Sequence, residues 1–328
     1  MIMEAIVIEK EEEKAVPKFK NIDESTLPEG NVLVKVNYSA LNYSDAATMF
    51  NIWNMVESFP HIPGIDFVGT VIRSSNEKFN KGERVLHTSH GVGYNRFGGL
   101  AEKAVSNDDW LIKVPDSVTD IQAMGLGTVG LTAMLAINEL ETNGLIPDDG
   151  KVLVTGATGG VGSLSIQLLH QLGYIVVAST GKVDSSSKYL KSIGASEVID
   201  RKEFENQTLE SLEEENYAAF IDSIGGNTVS RAIKQLQYEG IGISTGIVTG
   251  LDLDISLAPF VMRGIKLIGI NSVYTEKEKR ERAWKRLFEI VDFDNLEKSI
   301  IIEPLKSVPE LAQNMLAGKN VGRIVINV

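Results

Sequence analysis

The sequence predicts an α/β protein built on a doubly wound parallel sheet, with a second, β-rich domain formed largely by the first part of the chain. Three observations carry this. A glycine-rich turn stands between a short β-branched run and a helical pattern at residues 151–172. Strand-like and helical runs alternate after it, and about 150 residues of short strands and turns precede it. The chain has 328 residues, 43% of them hydrophobic, which suits two domains of ordinary size.

The first ten residues, Met1-Ile-Met-Glu-Ala-Ile-Val-Ile-Glu-Lys10, read as a strand and not as a secretion signal, because acids interrupt them and no cleavage pattern follows. Further strands are expected over 32–37, 66–72, 84–86 and 111–114. Several of these are bounded by turn pairs such as Pro28-Glu-Gly30, Pro63-Gly64 and Lys81-Gly82. A helix is expected from Thr119 to about Glu141. Lys151-Val-Leu-Val154 then enters the turn Thr155-Gly-Ala-Thr-Gly-Gly-Val-Gly162, and Leu164, Leu168 and Leu172 continue at helical spacing up to a stop at Gly173. Tyr174-Ile-Val-Val-Ala-Ser179 is the next strand. Runs at 197–199, 218–221, 240–243 and 265–268 bring the count to six, that of a full doubly wound sheet. The segment 275–292 is charged on one side and carries Trp284, Leu287, Phe288 and Val291 on the other, a stripe suited to core packing. A helix over 307–317 starts with Ser307 and Pro309. The last strand, 322–328, lies outside the six and is expected to return to the first domain. The expected division is 1–124 with 295–328, and 125–294.

The glycine turn is the strongest chemical signal. In a strand–turn–helix unit, Gly156, Gly159 and Gly162 permit a tight turn, a close approach to a pyrophosphate and a helix packed near the sheet, while the helix N-terminus favours the anion. This predicts a dinucleotide site. An NAD site places an acid at the end of the second strand to hold the ribose hydroxyls. Here that end reads Ser179-Thr180-Gly181-Lys182, hydroxyls beside a cation, which favours a 2′-phosphate and so NADP(H). The alternative is that Lys182 is an ordinary solvated loop lysine.

Composition narrows the remaining classes. A net charge of −12 disfavours a nucleic-acid partner, and no apolar run approaches the roughly 18 residues of a membrane span. A soluble, cytoplasmic protein is expected. With no cysteine there is no disulfide, thiolate nucleophile or thiolate-held metal. The four histidines, His61, His87, His90 and His170, show no metal-ligand spacing, and none is expected to bind metal.

Several further segments carry a resemblance. They are Leu41-Asn-Tyr-Ser-Asp45, Ile62-Pro-Gly-Ile-Asp-Phe-Val-Gly-Thr-Val71, Gly91-Val-Gly93, Phe97-Gly-Gly-Leu-Ala-Glu102, Gly127-Thr-Val-Gly-Leu-Thr-Ala-Met134, Tyr189-Leu-Lys-Ser-Ile-Gly-Ala195 and Pro259-Phe-Val-Met-Arg263. With the glycine turn, they resemble the zinc-free quinone oxidoreductase group of the medium-chain dehydrogenase/reductase superfamily, in the branch of acryloyl-CoA reductase and related quinone oxidoreductases. The resemblance implies a GroES-like N-terminal domain, a Rossmann domain and a homodimer. Zinc alcohol dehydrogenases of that superfamily carry Cys-His-x-Asp where this chain has Asn42-Tyr43-Ser44-Asp45, and Gly-His-Glu where it has Gly64-Ile65-Asp66. The chain departs from the branch at His90 and Tyr94-Asn-Arg-Phe97, and at Gly318, where the family has Asn.

By the same resemblance Tyr43 lies against the nicotinamide, Thr128 also contacts the cofactor, and Thr158, Gly159, Gly160 and Val161 lie on the pyrophosphate. Thr180, Gly181 and Lys182 fall on the 2′-phosphate, Arg201 at the adenosine end, and Ile247, Val261 and Ser272 on the nicotinamide side. Val261 could equally be core, and Arg201 a surface helix-cap residue. The implied chemistry is NADPH-dependent hydride addition to an activated C=C bond, most naturally in a 2-enoyl thioester. A quinone reductase and a non-enzymatic NADPH sensor are the alternatives. Tyr43 would donate a hydrogen bond or proton, directly or through water, with Asn42 as its polar companion. Asp45 either orients them or caps a helix. The run Ile265-Lys-Leu-Ile-Gly-Ile270 is apolar enough to pair with a second copy at a sheet edge.

Overall fold

In a computed structural model the chain forms two compact units, one of Met1–Thr128 with Phe293–Val328 and one of Val129–Asp292. The structure describes residues 1–206 and 210–328.

The first unit opens with a hairpin of β1 (Ile2–Glu11) and β2 (Lys14–Asp23), paired over its whole length. Its two turn residues, Glu12 and Glu13, both take left-handed backbone (φ 46° and 68°), the geometry that matches strand twist and normally draws Asn-Gly. Two glutamates give no such signal, which is why the second strand is invisible in the sequence. There follow β3 (Val32–Leu41), α1 (Tyr43–Met49), β4 (Asp66–Ser74), β5 (Arg84–Thr88), β6 (Lys103–Ser106) and β7 (Leu111–Lys113).

Helix α2 (Asp120–Thr142) is broken at Gly127, whose φ of 46° and ψ of −151° suit glycine alone. Residues 121–138 carry no charged side chain, so this helix is long and apolar enough to cross a membrane, contrary to the sequence expectation. Its most apolar window is 83% buried in the protein, as a core helix requires.

The second unit contains β8 (Lys151–Val154), α3 (Gly160–Gln171), β9 (Ile175–Thr180), α4 (Val183–Ser192), β10 (Glu197–Asp200) and α5 (Arg201–Phe204). It continues with β11 (Tyr217–Asp222), α6 (Asn227–Lys234), β12 (Leu236–Ser244), α7 (Ala258–Arg263), β13 (Lys266–Gly269) and α8 (Lys277–Ile290). Its six strands are parallel in the order β10-β9-β8-β11-β12-β13. The order reverses beside β8, so the glycine turn that leaves β8 sits at the switch point, where such sheets bind ligands. The short apolar runs Val152–Val154, Val176–Ala178 and Ala219–Ile221 are fully buried, as a sheet covered on both faces demands.

The chain returns to the first unit through α9 (Phe293–Glu297), β14 (Ile300–Pro304), α10 (Val308–Leu316) and β15 (Arg323–Asn327). β15 pairs antiparallel with β3, as expected, and brings β14 with it, so that the first unit's main sheet runs β14-β15-β3-β4-β5-β7, with β6 on β3. Ile324 and Ile326 of β15 join Ile6, Ile8, Leu41 and Met49 in one buried cluster.

Candidate active site

α1 begins directly after β3, and Asn42 at the junction keeps extended backbone (φ −111°, ψ 161°). The Asp45 carboxylate reaches back to accept from the Asn42 backbone N–H (2.9 Å) and the Asn42 side-chain amide (3.0 Å), and from the backbone N–H of Ile65 (2.9 Å). Asp45 therefore caps the helix and ties it to the chain before β4. Of the two roles open to it in the sequence, the geometry occupies the cap, and the bond from the Asn42 amide holds that side chain as well. Burial, and then the nearby Asp66 carboxylate, push its pKa up to about 7 against the hydrogen bonds it accepts.

Asn42 also belongs to a buried network that the sequence analysis missed. Its amide N–H donates to Asp66 (2.9 Å), and its carbonyl accepts from the Arg323 guanidinium (2.7 Å). Arg323, the first residue of β15, forms an ion pair with Asp66 at 3.0 Å and donates to the backbone oxygens of Met124 and Leu41. Asp66 further accepts from the backbone N–H and the hydroxyl of Thr128. Both charged groups are almost wholly buried, so each needs the other. The break in α2 admits them: a Cβ on Gly127 would fall 2.4 Å from Arg323 and 2.6 Å from Asp66.

Asn42 is thus a positioning residue whose amide is fully engaged. Tyr43 differs. It is the first residue of α1, half-buried, in tilted contact with Trp53, and its hydroxyl makes no hydrogen bond among the described residues.

Among the described residues, no three His, Cys, Asp or Glu side chains group as metal ligands would. The positions matched above to Cys-His and to His-Glu hold Asn42, Tyr43, Ile65 and Asp66, and a guanidinium already sits on Asn42 and Asp66. His87 is likewise committed. Its ring stacks on Phe67 and its nitrogens meet Ser106 and the carbonyl of Ser89. His61 is buried, which lowers its pKa.

In the second unit the glycine turn is as tight as the motif implies. Gly156 is left-handed (φ 57°), and a Cβ there would strike the Ser223 hydroxyl. A Cβ on Gly162 would lie 2.4 Å from the carbonyl of Gly156. Gly159 caps α3, and Gly160 and Val161 form its first turn, so their N–H groups stand at the positive end of a 12-residue helix. Thr158 is buried just before it.

At the end of β9, Thr180 lies opposite Asp200 of β10. The Lys182 backbone N–H donates to the Thr180 hydroxyl at 3.2 Å. The Arg201 guanidinium lies over Gly181, 3.4 Å from where a Cβ would be, so parallel pairing brings together two cations nineteen positions apart in sequence. Lys182 is half-buried, not a fully solvated loop lysine, and burial lowers its pKa. Two acids stand close by: Asp200 accepts from Lys202 N–H and caps α5, and Glu205 pairs with the Arg201 guanidinium at 3.7 Å. A phosphate-bearing ligand fits this donor set.

The residues expected on the nicotinamide side are dispersed in character. Ser272 is half-buried and accepts from the Thr132 hydroxyl at 2.9 Å. Ile247 is 49% exposed and Val261, on α7, is 80% exposed. The core alternative for Val261 is therefore wrong: α7 is a single short helix over the sheet, and Val261 falls on its outer side.

Comparison with known proteins shows the family and the fold. The family described as alcohol dehydrogenase GroES-like domain matches residues 28–116, and that described as zinc-binding dehydrogenase matches residues 160–289. The acrylyl-CoA reductase AcuI of Ruegeria pomeroyi is 39% identical over 326 residues, covering 99% of this chain and 98% of the relative. The YhdH oxidoreductase of Salmonella enterica, solved in complex with NADP, superposes with a TM-score of 0.96 at 38% identity over 99% of this chain and 100% of that one. The YhfP protein of Bacillus subtilis, solved with NAD bound, superposes with a TM-score of 0.95 at 36% identity over the full length of both chains. The fold, the glycine turn at the switch point and this full-length likeness together make the chain a member of the medium-chain dehydrogenase/reductase superfamily, in the branch of the acrylyl-CoA reductases and related quinone oxidoreductases.

Proposed function

We propose that this protein is an NADPH-dependent reductase that adds hydride to the β-carbon of an activated C=C bond, with a 2-enoyl thioester such as acryloyl-CoA as substrate. The observation that carries the chemistry is the division of labour at the head of α1. Asn42 and Asp45 are spent on the buried network, while Tyr43 keeps its hydroxyl uncommitted. A phenol is neutral at pH 7 and donates one hydrogen bond, which suits an oxygen that gains negative charge. When bound, the reduced nicotinamide supplies the hydride.

In this reading Gly160 and Val161 meet the pyrophosphate with helix N–H groups, next to Thr158 and Gly159. Thr180, Gly181, Lys182 and Arg201 hold the 2′-phosphate. Ile247, Val261 and Ser272 are assigned to the nicotinamide side, and Tyr43 and Thr128 to the reacting end. No metal polarises the substrate, because Arg323 fills the place between Asn42 and Asp66. The substrate must therefore carry its own electron-withdrawing group, as a conjugated thioester does. Tyr43 stabilises the enolate that follows hydride arrival, and the α-carbon is protonated by Tyr43 or by a water it holds. The names of the relatives support this reading.

We further propose a cytoplasmic homodimer. β13 is the last strand of its sheet and pairs on one side only, with Leu267 and Ile268 half-buried. Leu257 and Met262 stand 75% and 66% exposed close to it in sequence, an apolar surface that a second copy would cover.

Steady-state rates with NADPH on acryloyl-CoA, crotonyl-CoA and simple quinones test the function. The reading expects kcat/KM on an enoyl thioester to exceed that on any quinone. A clear preference for quinones, or no turnover of thioesters, would contradict it.

A further inference from the structure

No acid stands at the end of β9, where an NAD site would carry one. The sheet brings one to the same corner from the segment after β10. Glu205 closes α5, and its carboxylate reaches back one turn to Arg201, with Oε1 3.7 Å from Nε. The same oxygen accepts from the hydroxyl of Thr228, a fully buried residue in the first turn of α6. Glu205 is thus pinned between two helices, with 27% of its side chain exposed.

Arg201 is only half committed. Its Nε is buried without a hydrogen bond, and the guanidinium makes none among the described residues. The Glu205 contact, at 3.7 Å, is an ion pair beyond hydrogen-bond reach. The terminal nitrogen Nη2 lies over Gly181, 3.4 Å from where a Cβ would be. Guanidinium donors point outward in a planar fork, so an anion at the terminal edge and a carboxylate at the ε edge share one cation. They stand roughly 7 Å apart, two contact lengths plus the width of the fork.

The bond from Thr228 needs only an acceptor, which a glutamine would supply as well. What the glutamate adds is a negative charge, and two effects of opposite sign follow. The ion pair steadies the guanidinium, which for a part-exposed pair amounts to a factor of about 1.5 to 5 in affinity. The charge also repels a 2′-phosphate, which carries about −1.5 to −2 at pH 7. Across roughly 7 Å, in the dielectric of a wetted protein surface, that repulsion amounts to a factor of about 5 to 50. Repulsion is the larger.

We infer that Glu205 is a specificity-determining residue for the cofactor, a carboxylate that tempers the preference for NADPH over NADH created by Thr180, Lys182 and Arg201. The inference rests on the placing of the 2′-phosphate made above.

The test measures dissociation constants of NADPH and NADH by fluorescence titration of the whole protein, at low and high salt, for the parent, Glu205→Gln and Glu205→Ala. Glu205→Gln keeps an acceptor for Thr228 and removes the charge. The ratio of NADPH to NADH affinity should rise about 5-fold or more, carried by tighter NADPH binding. The gain should shrink in about 1 M salt, where the screening length falls to about 3 Å. Glu205→Ala, which also gives up the Thr228 bond, should move the ratio the same way. A ratio that falls makes Glu205 a support of Arg201 and overturns the inference. An unchanged ratio, an equal loss of both cofactors, or a gain that salt leaves untouched overturns it too. In each of these cases a parent that still prefers NADPH leaves the 2′-phosphate placement standing. A parent that binds the two cofactors equally, and in which Lys182→Ala alters neither, overturns that placement and the inference with it.

Discussion

At the scale of single residues, the site rests on a charge pair that neither partner's sequence neighbours announce. Asp66 interrupts the apolar run 62–71, and Arg323 heads the apolar strand 323–327. Each is a lone charge in a segment that reads as buried, and a buried charge requires an opposite one. That rule could have paired them from the sequence. What it could not supply is the bond from Arg323 to Asn42 or the room made by Gly127, since both depend on β15 folding back beside β3. Removing one partner leaves the other buried and alone. Arg323→Ala should cost about 3–5 kcal/mol of the first unit's stability, measured by urea unfolding. A loss under about 1 kcal/mol would mean that water or relaxation replaces the guanidinium.

Asp45 gives a pH signature at the same scale. In the folded protein its carboxyl holds a proton up to a pH of about 7, whereas in the unfolded chain it releases it near pH 4 (about 3.9). Between those values the folded state binds the extra proton, so the contribution of Asp45 is full below about pH 4 and is lost as pH rises through 7. Asp45→Asn is neutral throughout. Its stability relative to the parent should therefore improve between about pH 4.5 and pH 8, read as the difference of urea midpoints. A difference that does not vary with pH would show that Asp45 ionises freely despite its burial. Tyr43→Phe keeps the ring and deletes only the hydroxyl. On an enoyl thioester kcat should fall on the order of 100-fold, with cofactor affinity nearly unchanged and quinone reduction much less affected. Unaltered kcat would reduce Tyr43 to packing.

At the scale of elements, period and punctuation were legible and non-local geometry was not. The strand–turn–helix unit at 151–172 and the six-strand count follow from β-branched runs and glycine placement, and the structure reproduces both. β2 and β14 escaped because a Glu-Glu turn and the run Ile300-Ile-Ile-Glu-Pro304 carry no alternation or turn chemistry of the usual kind. The break in α2 looked like one more glycine in a helix, and only the buried pair beside it explains the kink. The end of β9 shows the same limit. Thr180, Gly181 and Lys182 were visible as a run, but the placing of Arg201 over Gly181 is set by the β9–β10 register. From that register Lys182→Ala should weaken NADPH binding by about 1–3 kcal/mol and barely alter NADH binding. Equal affinities of the parent for the two cofactors would overturn the 2′-phosphate assignment, an outcome of interest because the related YhfP was solved with NAD.

At the scale of the whole molecule, the apolar edge at β13 predicts assembly. Light scattering at micromolar concentration should give twice the chain mass of 35.8 kDa, and a monomer alone would contradict the dimer. The central claim, however, is chemical: hydride reaches the β-carbon of a conjugated thioester, and the α-carbon takes its proton afterwards. The most direct test is isotopic. Crotonyl-CoA is reduced with NADPH that carries deuterium at the transferable C4 position, and in a parallel reaction with ordinary NADPH in deuterium oxide; the product's C2 and C3 are then read by NMR. The account predicts one deuterium at C3 in the first reaction and one at C2 in the second. Label at C2 in the first reaction, or product with no label from the cofactor, would contradict it.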